Sequence, residues 1–182
     1  MAAPYPAPLL AHLSLLEKWR GAMDLVGPGP LAPHFDDAIA AVGWLKAEGE
    51  WVDLGSGAGF PGVALAAMFP SARVTLVERR QKRAVFLREV AAATKLPNLT
   101  VIEGDSADLP AAAYDGVISR AYKPPPEVLV DAARIAKPSG VCVLLLARED
   151  APLAPAWEVF HVERYVIEGK NRSAVGMRRV GW

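Results

Sequence analysis

The chain has 182 residues, 52% of them hydrophobic, and its 20 lysines and arginines balance 20 aspartates and glutamates. That length sets one domain as the expectation, the apolar content excludes a disordered chain, and zero net charge means that any nucleic-acid footprint must be local. The one cysteine, Cys142, lies in the apolar run Val141 to Ala147 and reads as a buried, inert thiol without an intrachain disulfide partner.

Met1 to Pro6 has neither a basic start nor an apolar signal segment. No apolar run approaches the roughly 20 residues of a membrane span, so a cytoplasmic protein is expected. Leu9, Leu13, Leu16 and Met23 recur at helical spacing with Trp19 nearby, predicting an amphipathic helix that ends near Gly27-Pro28-Gly29-Pro30. Phe35, Ile39, Val42 and Leu45 predict a second helix closed near Gly49. Residues 1–48 thus read as a helical cap on an α/β core of residues 49–182.

From there strand and helix signals alternate. The predicted strands are 51–54, 73–77, 99–102, 115–118 and 140–147, and the predicted helices 62–69, 80–95 and 126–137. Alternation of this kind implies a parallel sheet with helices on both faces. Val141 to Leu146 is nearly continuous in apolar residues, as expected of a strand covered on both sides. Pro152 and Pro155 bracket a loop or short helix, and 158–168 and 174–181 read as two final strands. The fold class expected is α/β, a Rossmann-like methyltransferase sheet of seven mostly parallel strands.

The most informative stretch is Asp53-Leu54-Gly55-Ser56-Gly57-Ala58-Gly59-Phe60-Pro61-Gly62, set between a strand-like and a helix-like run. Glycines there let the backbone turn sharply and approach a ligand, and Pro61 suits a first helical turn. Strand, glycine loop and helix start together form a nucleotide cradle. The acidic-x-Gly-x-Gly-x-Gly pattern through Asp53, Gly55, Gly57 and Gly59 is typical of S-adenosylmethionine (SAM) binding. Gly57 to Gly62 also satisfies the weaker dinucleotide pattern G-x-G-x-x-G. Asp53 can reach the cofactor's amino group or hold the loop's own N–H groups.

Glu78, ending the second strand, can accept both ribose hydroxyls of SAM or NAD, or cap the following helix. Asp105, after the third strand, can accept from an adenine amine or simply close a turn. Arg120 can bind guanine O6, a phosphate or the cofactor carboxylate, or anchor its loop in an ion pair. Tyr122 can stack on a base or pack in the loop. His34 can face the site or pack between helices. For RNA phosphates, Arg79, Arg80, Lys82, Arg83, Arg88 and Lys95 lie close together, and Lys170, Arg172, Arg178 and Arg179 follow in the tail. The bland alternative for both groups is a solvated surface.

These residues also carry a family resemblance. From about Trp19 to Tyr122 the chain resembles the RsmG family, also called GidB, the bacterial small-subunit rRNA guanine-N7 methyltransferases. The Gly-Phe-Pro-Gly ending of the loop is its most specific part. Lys82-Arg83 with Phe86-Leu87, Pro97-Asn98, Ser119-Arg120-Ala121 and His34-Phe35-Asp36-Asp37 match further family patterns. The chain departs from the family at Asp105-Ser106-Ala107, where Arg-x-Glu is usual, at Arg148-Glu149, where Lys-Gly is usual, and in a short C-terminal part.

The resemblance implies SAM as cofactor, held at Gly55, Phe60, Ser106, Ala107 and Arg120, with Arg120 also the catalytic candidate. It implies small-subunit rRNA as partner; the residues expected to face it are Arg79, Lys82, Arg83, Tyr122, Lys123 and His34, and a monomer without a metal is expected. Guanine N7 has a lone pair and no proton, so the absence of an evident base pair of side chains fits it. Tyr122-Lys123-Pro124 stands where adenine-N6 enzymes carry Asn/Asp-Pro-Pro-Tyr/Phe, which argues against that substrate. Competing readings are a methyltransferase acting on a small molecule or protein, and a non-catalytic SAM or NAD binding module.

Overall fold

The computed structural model describes residues 5–147, 152 and 154–180. Its strands are β1 (Gly49–Leu54), β2 (Ala72–Glu78), β3 (Leu99–Glu103), β4 (Tyr114–Arg120), β5 (Ala136–Leu146), β6 (Trp157–Ile167) and β7 (Lys170–Arg179). Its helices are α1 (Ala7–Trp19), α2 (Ala32–Val42), α3 (Gly62–Met68), α4 (Gln81–Thr94) and α5 (Pro125–Ile135). One seven-stranded sheet runs in the order β3-β2-β1-β4-β5-β7-β6. The first five strands are parallel, and β7 is antiparallel to both β5 and β6. This is the Rossmann-like methyltransferase sheet expected from the alternating pattern.

Each face of the sheet buries its own core. On one side α1 to α4 press Leu9, Leu16, Phe35, Leu65 and Phe86 against the strands. On the other, α5 covers Val52, Leu54, Val117 and Leu144 with Leu129 and Ile135. Successive strand residues point to opposite faces, which is why Trp51 joins the first core and Val52 the second. Phe35 and Phe86 are wholly buried, and burial of a side chain this large is worth about 1.5–3 kcal/mol. The two cap helices are therefore fixed to the sheet through the same core as α3 and α4.

Several boundaries differ from expectation, among them the start of β7, at Lys170 where 174 was expected. The first helix stops at Trp19 rather than near Gly27, because Ala22 and Met23 both donate to the Trp19 carbonyl and close the chain into a turn. The fifth helix ends at Ile135, and β5 begins four residues earlier than expected, at Ala136. Its pairing with β4 jumps from Tyr114↔Ala136 to Gly116↔Val141, so Lys137 to Gly140 loop out, with Ser139 in the left-handed region at φ 61°. The second helix closes at Gly43, short of Leu45. Arg148-Glu149 lies outside the described residues, as does the end of the last predicted strand.

Asn98 shows how the parallel edge is locked. Its Nδ2 donates to the carbonyls of Ala66, Phe69 and Ala72 at 3.0, 3.2 and 2.8 Å, tying the approach to β3 to the turn between α3 and β2. Removing a donor that serves half-buried carbonyls costs on the order of 1–3 kcal/mol. Asn98→Ala should lower stability by about 2 kcal/mol in chemical denaturation, whereas an unchanged midpoint would mean that these carbonyls are satisfied by water.

Candidate active site

The loop between β1 and α3 turns through three left-handed glycines, Gly55, Gly57 and Gly59, at φ +68°, +55° and +97°. Two carboxyls hold it. Glu78 accepts from the Gly57 N–H at 3.0 Å and, through its other oxygen, from the Arg80 N–H at 2.8 Å. Asp53 accepts from the Gly62 N–H at 3.0 Å. A Cβ on Gly62 would stand 2.3 Å from Leu76 and 2.6 Å from Asp53 Oδ2, so α3 can start this close to β1 and β2 only with glycine there.

Asp53 is wholly buried. Burial pushes its pKa up to about 8, against the opposing pull of the Gly62 N–H. It faces neither cavity described below, so it braces the loop from beneath. Glu78 takes the helix-capping role weighed for it and also stands at a cavity. It fastens the loop and the start of α4, and it also lines a cavity, where each carboxylate oxygen has a lone pair to spare.

Two cavities open at the C-terminal ends of the parallel strands, where sheets of this topology bind ligands. The smaller, of about 180 Å³, is lined by Gly55, Glu78, Arg79, Arg83, Asp105 and Tyr122 among others. The larger, of about 550 Å³, is lined by His34, Asp37, Arg120, Leu144, Lys170 and Arg172 among others. Ala121 and Lys123 line both, and Ala121 takes a left-handed φ of 55° where the chain leaves β4. The strand order reverses between β1 and β4, so both cavities lie beside the topological switch point.

Tyr122 packs directly on the glycine loop. A Cβ on Gly55 would come within 2.4 Å of its ring. Its hydroxyl donates to Asp105 Oδ1 at 3.1 Å, as does that of Ser106 at 3.0 Å. Burial raises the Asp105 pKa, but the hydrogen bonds from Ser106, Tyr122 and Ala107 outweigh it and hold the carboxyl below its ordinary range. Ser106 is buried and Ala107 is exposed, and neither lines a cavity. In this segment only Asp105 reaches the cavity wall.

Arg120 is the hub of the larger cavity. Its Nη1 donates to Asp37 Oδ2 at 3.0 Å, and its guanidinium lies 5.0 Å from the centre of the Phe60 ring. The ion-pair reading and the site-facing reading of Arg120 are thus both present. Phe60 itself is 3% exposed, packed edge-on against Phe35 and stacked with His34. Its ring supports Arg120 and does not line a cavity. His34 does line one. Burial lowers its pKa, Arg120 adds to the effect and Asp37 partly opposes it.

The cationic candidates separate. Arg79 and Arg83 line the smaller cavity, although Arg83 spends Nη2 on the Asp24 carbonyl at 2.8 Å. Lys82 is exposed and lines neither. Lys123 is tied to Asp131 at 2.7 Å and sits over the Tyr122 ring. In the tail, Arg179 donates to the Ala136 carbonyl and Arg178 lies over Phe160, while Lys170 and Arg172 line the larger cavity. Tyr165 and His12 carry no signal in the sequence, and Asp37 stands there only as the last residue of the His34-Phe35-Asp36-Asp37 pattern, three residues after His34 on one helix face.

His12 is wholly buried under the loop, with Nε2 2.7 Å from the Ala58 carbonyl oxygen. Its Nδ1 has no partner among the described residues. Burial drives its pKa down to about 4, partly offset by that carbonyl. Between about pH 6.5 and pH 4 the unfolded chain takes up a proton that the folded ring refuses, so stability is lost as pH falls through this window. Thermal melts across the range should show the wild type losing stability faster than His12→Phe, while parallel curves would remove His12 as the cause.

The comparisons with known proteins agree with this geometry. The family model of GidB, rRNA small subunit methyltransferase G, matches residues 7–155. The Ribosomal RNA small subunit methyltransferase G of Pseudomonas aeruginosa (strain LESB58) is 40% identical over 119 residues, covering 63% of this chain and 56% of that protein. Its namesake from Pseudomonas putida (strain GB-1) is 38% identical over 128 residues, covering 67% and 59%. The chain therefore spans little more than half the length of these relatives. Among solved structures, a SAM dependent methyltransferase from Aquifex aeolicus superposes with a TM-score of 0.65 at 18% identity, covering 97% of this chain and 100% of that one. With the match running from α1 past the end of β5, the chain belongs to the GidB family, the rRNA small subunit methyltransferases G.

Proposed function

We propose that the chain transfers a methyl group from SAM to N7 of a guanine in small-subunit ribosomal RNA. The observation that carries this reading is the divided crevice: a cavity lined by Gly55, Glu78 and Asp105 meets, at Ala121 and Lys123, a larger cavity lined by Arg120. Gly55 brings its backbone to the wall of the smaller cavity. Glu78 offers acceptor sites for a ribose, and Asp105 one for an adenine amine. The smaller cavity lies below the usual range of about 300–1,000 Å³ for ligand sites, so the cofactor is assigned to both cavities, across Ala121.

When bound, SAM supplies a methyl group on a positively charged sulfur, open to in-line displacement. The protein's task is then to align a nucleophile and keep water out. Guanine N7 brings its own lone pair, so no side chain has to remove a proton. Guanine presents O6 and N7 as paired acceptors on one edge. With N7 reserved for the methyl, the donors of Arg120 serve O6, which adenine replaces by an amino group. His34, neutral and stacked on Phe60, gives the same wall an aromatic surface. Lys170 and Arg172 at the rim suit the phosphates of the target strand.

The test is incubation with tritium-labelled SAM and small subunits whose rRNA lacks the modification, followed by mapping of the label. Label in 7-methylguanosine is expected, with Arg120→Ala lowering kcat/KM by about 100-fold or more. SAM binding without labelled RNA would remove the RNA substrate and leave the small-molecule or protein reading. Gly55→Ala, which forces a Cβ into the Tyr122 ring, should weaken SAM binding at least tenfold in calorimetry. Unchanged binding would place the cofactor elsewhere.

A further inference from the structure

We infer that Asp37 and Tyr165 are positioning residues that fix the direction of the Arg120 guanidinium, and that Tyr165 is how the C-terminal hairpin takes part in the reaction. The inference rests on the proposed role of Arg120 towards the base.

Three parts of the chain far apart in sequence meet at one carboxylate. Asp37, on α2, is 8% exposed. Its Oδ2 accepts from Arg120 Nη1 at 3.0 Å, at the end of β4. Its Oδ1 accepts from the Tyr165 hydroxyl at 2.9 Å, on β6. A carboxylate held at one oxygen only can rotate about its Cβ–Cγ bond. Held at both, it presents a fixed plane to the arginine. The Phe60 ring, 5.0 Å from the guanidinium carbon, limits the remaining freedom from a second direction.

The consequence lies in what is left over. A guanidinium has five N–H donors in a rigid fork, and Asp37 is the one acceptor assigned to it among the described residues. Arg120 lines the larger cavity, so its other donors can meet a ligand there. Tyr165 is suited to hold the pair without competing for it. Burial, then the neighbouring Asp37, raises its pKa well above the ordinary phenol value, so it remains a donor throughout the working pH range. It is not on the wall of either cavity, so an effect on turnover passes through its neighbours, either Asp37 with Arg120 or Arg172, its partner across the hairpin; the double-mutant cycle with Arg120 separates the two.

A structural prop and a positioning residue differ in two readouts. The first is the guanidinium itself. In the wild type, rotation about the Cζ–Nε bond of Arg120, read by nitrogen-15 NMR, should be slow. Tyr165→Phe should speed it about tenfold, with SAM affinity within twofold of wild type, and Asp37→Asn should speed it more. The second is a double-mutant cycle. Tyr165→Phe should lower kcat on rRNA about tenfold in the wild-type background with little change in KM, and have no further effect in an Arg120→Lys background.

Equal losses in both backgrounds, or unchanged rotation in Tyr165→Phe, would overturn the inference even with a fully active enzyme. Should the wild type fail to methylate rRNA, the functional reading falls. The NMR arm still decides the network, because it needs no substrate: slow rotation released by Tyr165→Phe supports it, and fast rotation in the wild type overturns it.

Discussion

A loop made mostly of glycine has no side chains with which to keep its own shape, and the rest of this molecule depends on that shape being kept. Glu78 grips the Gly57 N–H and Asp53 the Gly62 N–H, one from the end of β2 and one from within β1. Because both carboxyls belong to paired parallel strands, the loop inherits the rigidity of the sheet. The cost is a buried acidic group, visible in the raised pKa of Asp53. What it secures is a fixed start for α3, a floor for Tyr122 and a roof over His12. Replacing the glycines or the carboxyls would disturb all three at once.

From this fixed point the site is assembled outward by elements that the sheet alone would not bring together. The cap contributes His34 and Asp37, β4 contributes Arg120, and the hairpin contributes Tyr165 and Arg172. The cap is thus more than a cover for the apolar face of α3 and α4. Phe35 anchors α2 in the core, and His34 and Asp37, one residue before it and two after, are carried to the cavity. Core packing and site geometry are set by the same turn of helix.

The fold was legible because its signals are local and periodic. Strand and helix runs alternate, the glycine loop marks the first crossover, and the boundaries missed, at Trp19 and Ala136, depend on turns that close on distant backbone. The residues of the smaller cavity carried a signal for the same reason: Gly55, Glu78 and Asp105 stand at or just past the ends of β1, β2 and β3, and strand ends converge in a parallel sheet. The substrate side was harder. Phe60 and Asp53 belong to the right motif but serve as supports, and no local pattern tells a buried brace from a ligand contact. Tyr165 carried no sequence signal at all, since its role exists only once the hairpin folds back over α2.

The charge arrangement of the larger cavity bears on why Arg120 comes with a carboxylate. On the proposed reading, methylation at N7 would leave the purine ring with a positive charge, so an unpaired arginine beside it would bind the substrate through O6 and then oppose the developing product. Pairing Arg120 with Asp37 removes the net charge while leaving donor N–H groups directed at the cavity. In surroundings drier than bulk water that difference matters more, because charge–charge interactions are less screened there. Fixing Asp37 through Tyr165 keeps the compensating charge in place as the reaction proceeds. The zero formal charge of the whole chain has the same character at larger scale. Lys170 and Arg172 stand at the larger cavity and Arg79 and Arg83 at the smaller, so an RNA substrate, on the proposed reading, would be selected by shape and by a base presented to the cavity and not by general attraction to phosphate.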